Sequence, residues 1–204
     1  VYHIFCFCAS LPSPAESAIL KRILMKAGRS TMLSVRRITP DSLSLLTPMA
    51  EEVLVGEDAL IRVTRTGFAL SYAPRARAEW RTFPPPADFA PQLVAADKSA
   101  ALFAAFSDSL AVGYAAVRLH AAGFGDVGAL QVDATHRRHG FASALMDACE
   151  DFARQHNAYG TRVCTSDENP GACQFLVHRG YVLAGLDRMA LAAAPQERQK
   201  PMMY

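Results

Sequence analysis

Three apolar segments follow one another between Ala100 and Val132 with only short breaks, and this run most constrains the fold. The segments are Ala100 to Phe106, Leu110 to Leu119 and Asp126 to Val132. The short stretch "SDS" separates the first pair, and the glycine-containing "HAAGFG" separates the second pair, which is typical of adjoining β-hairpins. The pattern therefore predicts a set of antiparallel strands in the middle of the chain.

An amphipathic helix follows these strands. Apolar residues recur at steps of three and four positions from Phe141 to Phe152, namely Phe141, Leu145, Ala148, Cys149 and Phe152. This spacing places them on one helix face. The β-branched segment Thr161 to Thr165 then predicts a strand. Asn169 to Val177 predicts a second helix with a proline at its first position, which is a favoured place for proline.

Strands predicted on either side of these elements complete the prediction of the fold class. Gly180 ends the second helix, and Tyr181 to Leu183 begins a last strand that resumes around Met189 to Leu191. Near the other end, Leu33 to Ile38 alternates like a strand. The order of elements predicts an α/β domain, with helices flanking a mixed, mostly antiparallel central sheet.

The region between these parts gives mixed signals. Ser42 to Leu60 combines apolar and acidic residues at helical spacing, so we expect one or two short helices there. Between Ile61 and Phe83, "RVTRTGFALSYA" is the most strand-like part. The prolines of "FPPPADFAP" (Phe83 to Pro91) remove hydrogen-bond donors and restrict their neighbours, so we expect a loop.

The 204 residues are enough for one domain with a core. We expect this domain to span residues 32–193, with a loose polar tail over residues 194–204. Residues 1–31 break at Pro12 and Pro14 and turn basic afterwards. They are either a short basic arm or an extension that the domain does not need, and we favour the second interpretation.

Composition excludes several classes of function. The formal net charge is +2, which gives no electrostatic reason to expect nucleic acid as a partner. The sequence contains no apolar run long enough to span a membrane. Five irregularly spaced cysteines predict free thiols in a reducing cytoplasm, and the lone Cys6–Cys8 pair predicts no metal site.

The stretch "DATHRRHGFASALM" (Asp133 to Met146) links the third strand to the first long helix. A helix N-terminus directs free backbone N–H groups and partial positive charge at whatever lies above it, and anions bind there readily. Arg137, Arg138 and His139 add positive charge, and Gly140 lets a ligand approach the backbone. Spacing alone leaves two alternatives even: a diphosphate site or a solvated basic turn.

Two stretches resemble one enzyme family. Residues Arg137 to Ala142 match the motif Q/R-x-x-G-x-G/A of the GNAT family of acetyl-CoA-dependent N-acetyltransferases. About thirty residues later, Asp167 to Asp187 is similar to a second family segment at Asn169, Ala172, Phe175, Gly180 and Tyr181. "ACQF" (Ala172 to Phe175) with "GYVLAGLD" is similar to the streptothricin acetyltransferase branch. The resemblance covers Met32 to about Ala193 and favours the diphosphate site.

The resemblance implies a cosubstrate and its binding residues. Members of the family transfer the acetyl group of acetyl-CoA to a primary amine by direct attack on the thioester, without a metal. The end of the central strand would hold the pantetheine arm, the turn and first helical residues would hold the diphosphate, and the later helix would contribute further contacts. These residues are Leu130, Gln131, Val132, Arg137, Arg138, His139, Gly140, Phe141, Ala142, Ser143, Asn169, Ala172 and Phe175.

The sequence departs from the family at the usual general acid. The tyrosine that often protonates the leaving thiolate falls on Leu176. Either Tyr181 serves instead, which we expect, with His178 and Cys173 as alternatives, or the thiolate leaves unassisted. Glu168 is our expected base, ahead of Asp167 and Asp133.

The acceptor is expected to be a small amine, a streptothricin-like antibiotic among the candidates. Leu176 motivates the alternative that the chain is a non-catalytic acyl-CoA-binding module. Pairing of chains through the late strands is common among relatives, so a homodimer is one oligomeric state to test.

Overall fold

The computed structural model describes residues 4–11, 33–46 and 48–187. They form two compact units. The first comprises residues 10–11, 33–51, apart from residue 47, and 84–161. The second comprises residues 4–9, 52–83 and 162–187. The expected strand around Met189 and the expected tail lie outside the described residues.

Four antiparallel strands form the sheet of the first unit. In spatial order they are β2 (Leu33–Ile38), β5 (Ala100–Ser107), β6 (Leu110–Leu119) and β7 (Phe124–Val132). β5 and β6 are buried along nearly their whole length, so both faces of the sheet are covered. This explains why the sequence of these strands is continuously apolar rather than alternating. The predicted strands are confirmed to within two residues at each end.

Helices cover the faces of this sheet. The long helix α2 (Phe141–Gln155) packs against β5, β6 and β7 through its predicted apolar face, with Leu145 and Cys149 fully buried. The short helix α1 (Pro91–Ala96) buries Val94 in a cluster with Leu102. A side chain such as Leu145 contributes about 1.5–3 kcal/mol when it leaves water. The amphipathic pattern of α2 is therefore satisfied by the sheet.

The region Ser42 to Leu60 differs from our expectation of short helices. Pro40–Leu45 forms one 3₁₀ turn, but β3 (Val53–Thr64) is a long strand paired with β4 (Gly67–Arg81). Because the two strands pair across the two-residue turn Arg65–Thr66, tertiary pairing overrides the weak local preference. The strand-like interpretation of "RVTRTGFALSYA" is confirmed.

The second unit also contains most of β8 (Gly160–Ser166), with α3 (Pro170–His178) and β9 (Val182–Asp187), and all three elements lie close to their predicted positions. β1 (Ile4–Ser10) lies between β8 and β9 and is antiparallel to β9. Phe7 of β1 is fully buried. Residues 4–10, within the segment 1–31 that we expected the domain not to need, thus form a strand of this set. The pairing joins distant parts of the chain, so local sequence did not reveal it.

Candidate active site

The end of β7 is shaped by a bulge at Gly128. Ala116 pairs with Ala129 and Val117 pairs with Val127, which leaves Gly128 as the extra residue. The ring of Phe89, from the proline-rich loop, lies over this glycine, and an added Cβ would come 2.3 Å from the ring. The loop therefore has a buried anchor on β7. After the bulge, Leu130 to Val132 are only partly buried.

The turn between β7 and α2 adopts an unusual backbone conformation. Asp133 caps a 3₁₀ turn at Ala134–His136, and the backbone then takes positive φ at Arg138 (68°) and at Gly140 (88°). Gly140 is the N-cap of α2, and a glycine has no side chain with which to cap the helix. The first N–H groups of α2 therefore keep the capacity to bind an anion.

The space above this helix N-terminus is open. Arg138, His139 and Gly140 are exposed, and a Cβ added to Gly140 would meet no atom within 4 Å. From the sequence, the glycine was expected to permit close approach of a ligand, but its positive φ is the stronger reason for glycine here. Phe141 buries its ring, which lies 6.0 Å from the His136 ring. Phe141 can thus contribute to a ligand site only through its backbone.

Arg137 occupies a different environment from Arg138. Its Nε donates a hydrogen bond to the Val132 carbonyl (3.0 Å), and its Nη2 donates to the Ala50 carbonyl (3.2 Å). Ala142 and Ser143, in the first turn of α2, are partly buried. The structure brings together, on one strand, turn and helix, all ten residues predicted for the pantetheine and diphosphate, from Leu130 to Ser143.

Asp133, one of the candidate bases, is held as a carboxylate. The Thr135 hydroxyl and the Ala50 N–H donate to it, and these hydrogen bonds hold the pKa of Asp133 well below its usual range. Such a group takes up a proton poorly at neutral pH. Asp133 is therefore better suited to organise the turn than to act as a base.

The remaining predicted residues belong to the second unit. Glu168 forms an ion pair with Arg81, whose guanidinium also contacts Glu79 at 3.0 Å. Asn169 caps α3, because its Oδ1 accepts a hydrogen bond from the Ala172 N–H at 3.1 Å. Asparagine directly before a proline is a sequence signal for such a cap, whereas we had expected Asn169 only to bind the ligand.

The helix α3 presents few reactive groups. Burial raises the pKa of the Cys173 thiol to about 12, so this cysteine is a poor nucleophile. Tyr181 is buried, and its N–H donates to the Leu176 carbonyl at 3.0 Å. Ala172 and Phe175 are partly buried, and the Arg179 guanidinium lies 6.0 Å from the Phe175 ring.

Two features of the structure were not anticipated from the sequence. Ala50 contacts the turn from Asp133 to Gly140 through its backbone, which leaves no side-chain signature in the sequence. Tyr72 of β4 has a buried hydroxyl that lacks a hydrogen-bond partner among the described residues. Burial, Cys173 and Glu57 raise the pKa of Tyr72 to about 12. Its place opposite Ala59 depends on the register of β3 and β4, which a single sequence does not define.

Membrane-spanning helices and clustered metal ligands are both absent from the described residues. None of the helices in these ranges is long and apolar enough to cross a membrane. In the same ranges, no three His, Cys, Asp or Glu side chains are grouped so that they could hold a metal ion.

Comparison with known proteins identifies the family. The profile of the Acetyltransferase (GNAT) family matches residues 68–181. The streptothricin acetyltransferase of Escherichia coli is 27% identical over 108 residues, which are 53% of this chain and 62% of that protein. The match thus spans less than two thirds of this relative.

Two solved structures have the same fold. One is a Bacillus anthracis protein assigned as a streptothricin acetyltransferase, in complex with acetyl coenzyme A. It has a TM-score of 0.72 and 14% identity, and the match covers 81% of this chain and 93% of that one. The other is a nourseothricin acetyltransferase with a TM-score of 0.66 and 21% identity, covering 81% and 92%. Because the family profile matches more than half of the sequence, this chain belongs to the GNAT acetyltransferase family.

Proposed function

We propose that this protein transfers the acetyl group of acetyl-CoA to a primary amine by direct attack of the amine on the thioester. The observation that carries the proposal is the turn from Asp133 to Gly140. It places two exposed basic residues, Arg138 and His139, beside a helix N-terminus whose N-cap is a glycine with open space above it. Such a site suits the diphosphate of coenzyme A. The acetyl-CoA complex of the Bacillus anthracis protein supports this choice of cosubstrate.

Direct attack fits the chemistry of the side chains. The buried Cys173, with its raised pKa, offers no ready thiolate for an acyl-enzyme. An alkyl amine has a pKa of about 10.4 and is mostly protonated at neutral pH, so the reaction needs a proton acceptor. We assign this role to Glu168, whose carboxylate is oriented by Arg81 and keeps a side-chain exposure of 20%. We assign assistance to the leaving thiolate to Tyr181.

The acceptor that we propose is a small amine of the streptothricin class, an antibiotic with an amine on its β-lysine portion. The names of the Escherichia coli relative and of the two structural neighbours support this class. The arrangement around Arg81 is compatible with it, because two guanidinium groups, of Arg75 and Arg81, serve three carboxylates there, those of Asp58, Glu79 and Glu168. A surplus of negative charge attracts a cationic acceptor. A cytoplasmic location and a homodimer remain predictions, which cell fractionation and light scattering would test.

The test uses the full chain, because β1 is part of the fold. Acetyl-CoA is titrated calorimetrically, and thiol release is then followed with a panel of amines that includes streptothricin and free lysine. We expect binding, and thiol release only when an amine is present, with the acetylated product identified by mass spectrometry. Binding without thiol release for any amine would favour the acyl-CoA-binding module that Leu176 suggests. A folded chain that does not bind acetyl-CoA would refute the proposal.

A further inference from the structure

The N–H and the carbonyl of Ala50 are both hydrogen-bonded to the turn from Asp133 to Gly140, which we call the diphosphate turn. Its N–H donates to Oδ2 of Asp133 at 3.1 Å. Its carbonyl accepts from the Ala134 N–H at 3.1 Å and from Nη2 of Arg137 at 3.2 Å. Three hydrogen bonds thus join one residue to the start and the middle of the turn. We call this group of contacts the Ala50 clamp.

Asp133 links the clamp to the turn itself. Its Oδ1 accepts hydrogen bonds from the N–H and the hydroxyl of Thr135, while its Oδ2 accepts from Ala50. The side chain is largely buried, with 21% exposure. One carboxylate therefore fixes the 3₁₀ turn and holds a separate segment of chain against it. Hydrogen bonds to an ionised group are stronger than those between neutral groups.

Arg137 closes the same group of contacts from the other end. Its guanidinium bridges the carbonyl of Val132, the last residue of β7, and the carbonyl of Ala50. Both acceptors are neutral backbone groups. Arg138 and His139, which follow directly, are exposed instead. Arg137 thus contacts the protein, whereas the two basic residues that follow it face solvent.

The clamp connects the turn to the hydrophobic core. Met49, the neighbour of Ala50, packs against the buried cluster that contains Ile38, Phe89 and Tyr114. The backbone of the turn takes positive φ at two residues, Arg138 and Gly140. The Ala50 clamp gives such a turn a rigid support, and preorganised sites bind more tightly because less ordering is needed on binding.

We propose that Asp133 and Arg137 are positioning residues that set the affinity for acetyl-CoA by anchoring the diphosphate turn to the backbone of Ala50. Arg137 acts through hydrogen bonds to carbonyls, whereas Arg138 supplies charge to the ligand. This inference rests on the proposed function, because it concerns the site where the cosubstrate would bind. It differs from our sequence-based expectation, in which Arg137 contributed its charge to the diphosphate.

Paired substitutions separate hydrogen bonding from charge. Arg137→Met removes the donors and keeps an apolar stem, whereas Arg137→Gln keeps an N–H donor and removes the charge. We expect Arg137→Met to raise the Kd for acetyl-CoA about five- to tenfold, since a net hydrogen bond is worth ~1 kcal/mol. Arg137→Gln should recover a large part of this loss. Lys98→Gln, an exposed position between α1 and β5, controls for loss of a positive charge elsewhere.

The dependence of the Kd on NaCl concentration discriminates between the two arginines. Removal of a charge that contacts a phosphate reduces the slope of log Kd against log salt concentration. We expect Arg138→Gln to reduce the slope and Arg137→Gln to leave it unchanged. If Arg137→Gln reduces the slope as Arg138→Gln does, then Arg137 contacts the diphosphate and the proposal is wrong.

Asp133 is tested by its kinetic signature. Asp133→Asn keeps an acceptor oxygen for the turn, and Asp133→Ala removes it. We expect both to raise the KM for acetyl-CoA, with Asn much closer to the wild type, and both to keep most of kcat. A large fall in kcat at unchanged KM would show instead that Asp133 takes part in the chemistry.

A measurement on the unmodified chain keeps the proposal independent of how the variants fold. Hydrogen exchange of the Ala50 amide should be slow without any ligand, because Asp133 accepts its hydrogen bond. Exchange at the rate of an exposed peptide would overturn the clamp. If the wild type fails to bind acetyl-CoA while this amide is protected, the proposed function fails and the clamp stands as a structural feature.

Discussion

Two substitutions at Gly140 test whether a diphosphate lies above the N-terminus of α2. Aspartate and asparagine have nearly the same shape, and both tolerate positive φ better than other side chains do. A Cβ at this position meets no atom within 4 Å, so neither side chain causes a clash. Both variants have the same backbone cost at φ 88°, roughly 1 kcal/mol. They differ only in charge.

That charge gives the expected magnitude. A carboxylate about 4 Å from one phosphate charge is repelled by ~1 kcal/mol in water and ~4 kcal/mol near a protein surface. Gly140 is exposed, so the lower half of this range applies. The lower half is about 1–2.5 kcal/mol, so we expect Gly140→Asp to bind acetyl-CoA about 5- to 70-fold more weakly than Gly140→Asn.

Calorimetric titration at low and high salt measures this difference. The difference in Kd for acetyl-CoA between the two variants should decrease as NaCl screens the repulsion. Circular dichroism and thermal unfolding of both variants provide the control for folding. Equal affinities for Gly140→Asp and Gly140→Asn at low salt would refute the placement of the diphosphate.

Three further predictions concern other parts of the chain. The Sγ atoms of Cys6 and Cys164 lie 2.8 Å apart, so we expect diamide to join them in the native protein, with a loss of two hydrogens in the intact mass; formation of the bond only after unfolding would contradict this pairing of β1 with β8. Gly128→Ala should destabilise the chain by ~1–3 kcal/mol in denaturant unfolding, through overpacking against the Phe89 ring. In a chain that already carries Phe89→Ala, the same substitution should have a much smaller effect, and additive effects of the two substitutions would argue against the contact. Because the folded-state pKa of Asp133 is depressed below its ordinary value of 3.8, its contribution to stability is complete above that value and is lost as the pH falls towards the folded-state pKa. The free energy of unfolding should therefore fall more steeply below pH 3.8 in the wild type than in Asp133→Asn, and parallel curves would contradict the assignment.

The strands and helices that the sequence predicted correctly share a property. β5, β6 and β7 are continuous apolar segments separated by short turns, and α2 has an apolar stripe at helical spacing. The start of α3 is set by Pro170, whose fixed φ suits the first helical position. Each of these signals is local, because it depends on residues within one or two turns of chain.

The basic turn was predicted for the same reason. Arg138, His139 and Gly140 follow each other directly, so their placement at the start of α2 requires only that the helix begin where its apolar pattern begins. The requirement for glycine was also local, although its physical basis is the backbone angle rather than close approach.

The sequence by itself determined where the central strands, the two predicted helices and the basic turn lie. Only the tertiary structure decided that β3 is a strand, that β1 pairs with β9, and that Arg137 faces the carbonyl of Ala50 while Arg138 faces solvent. These features depend on backbone groups from segments far apart in the chain. Every residue has a backbone carbonyl, and every residue except proline has a backbone N–H. The identity of a residue therefore does not reveal which backbone group it pairs with.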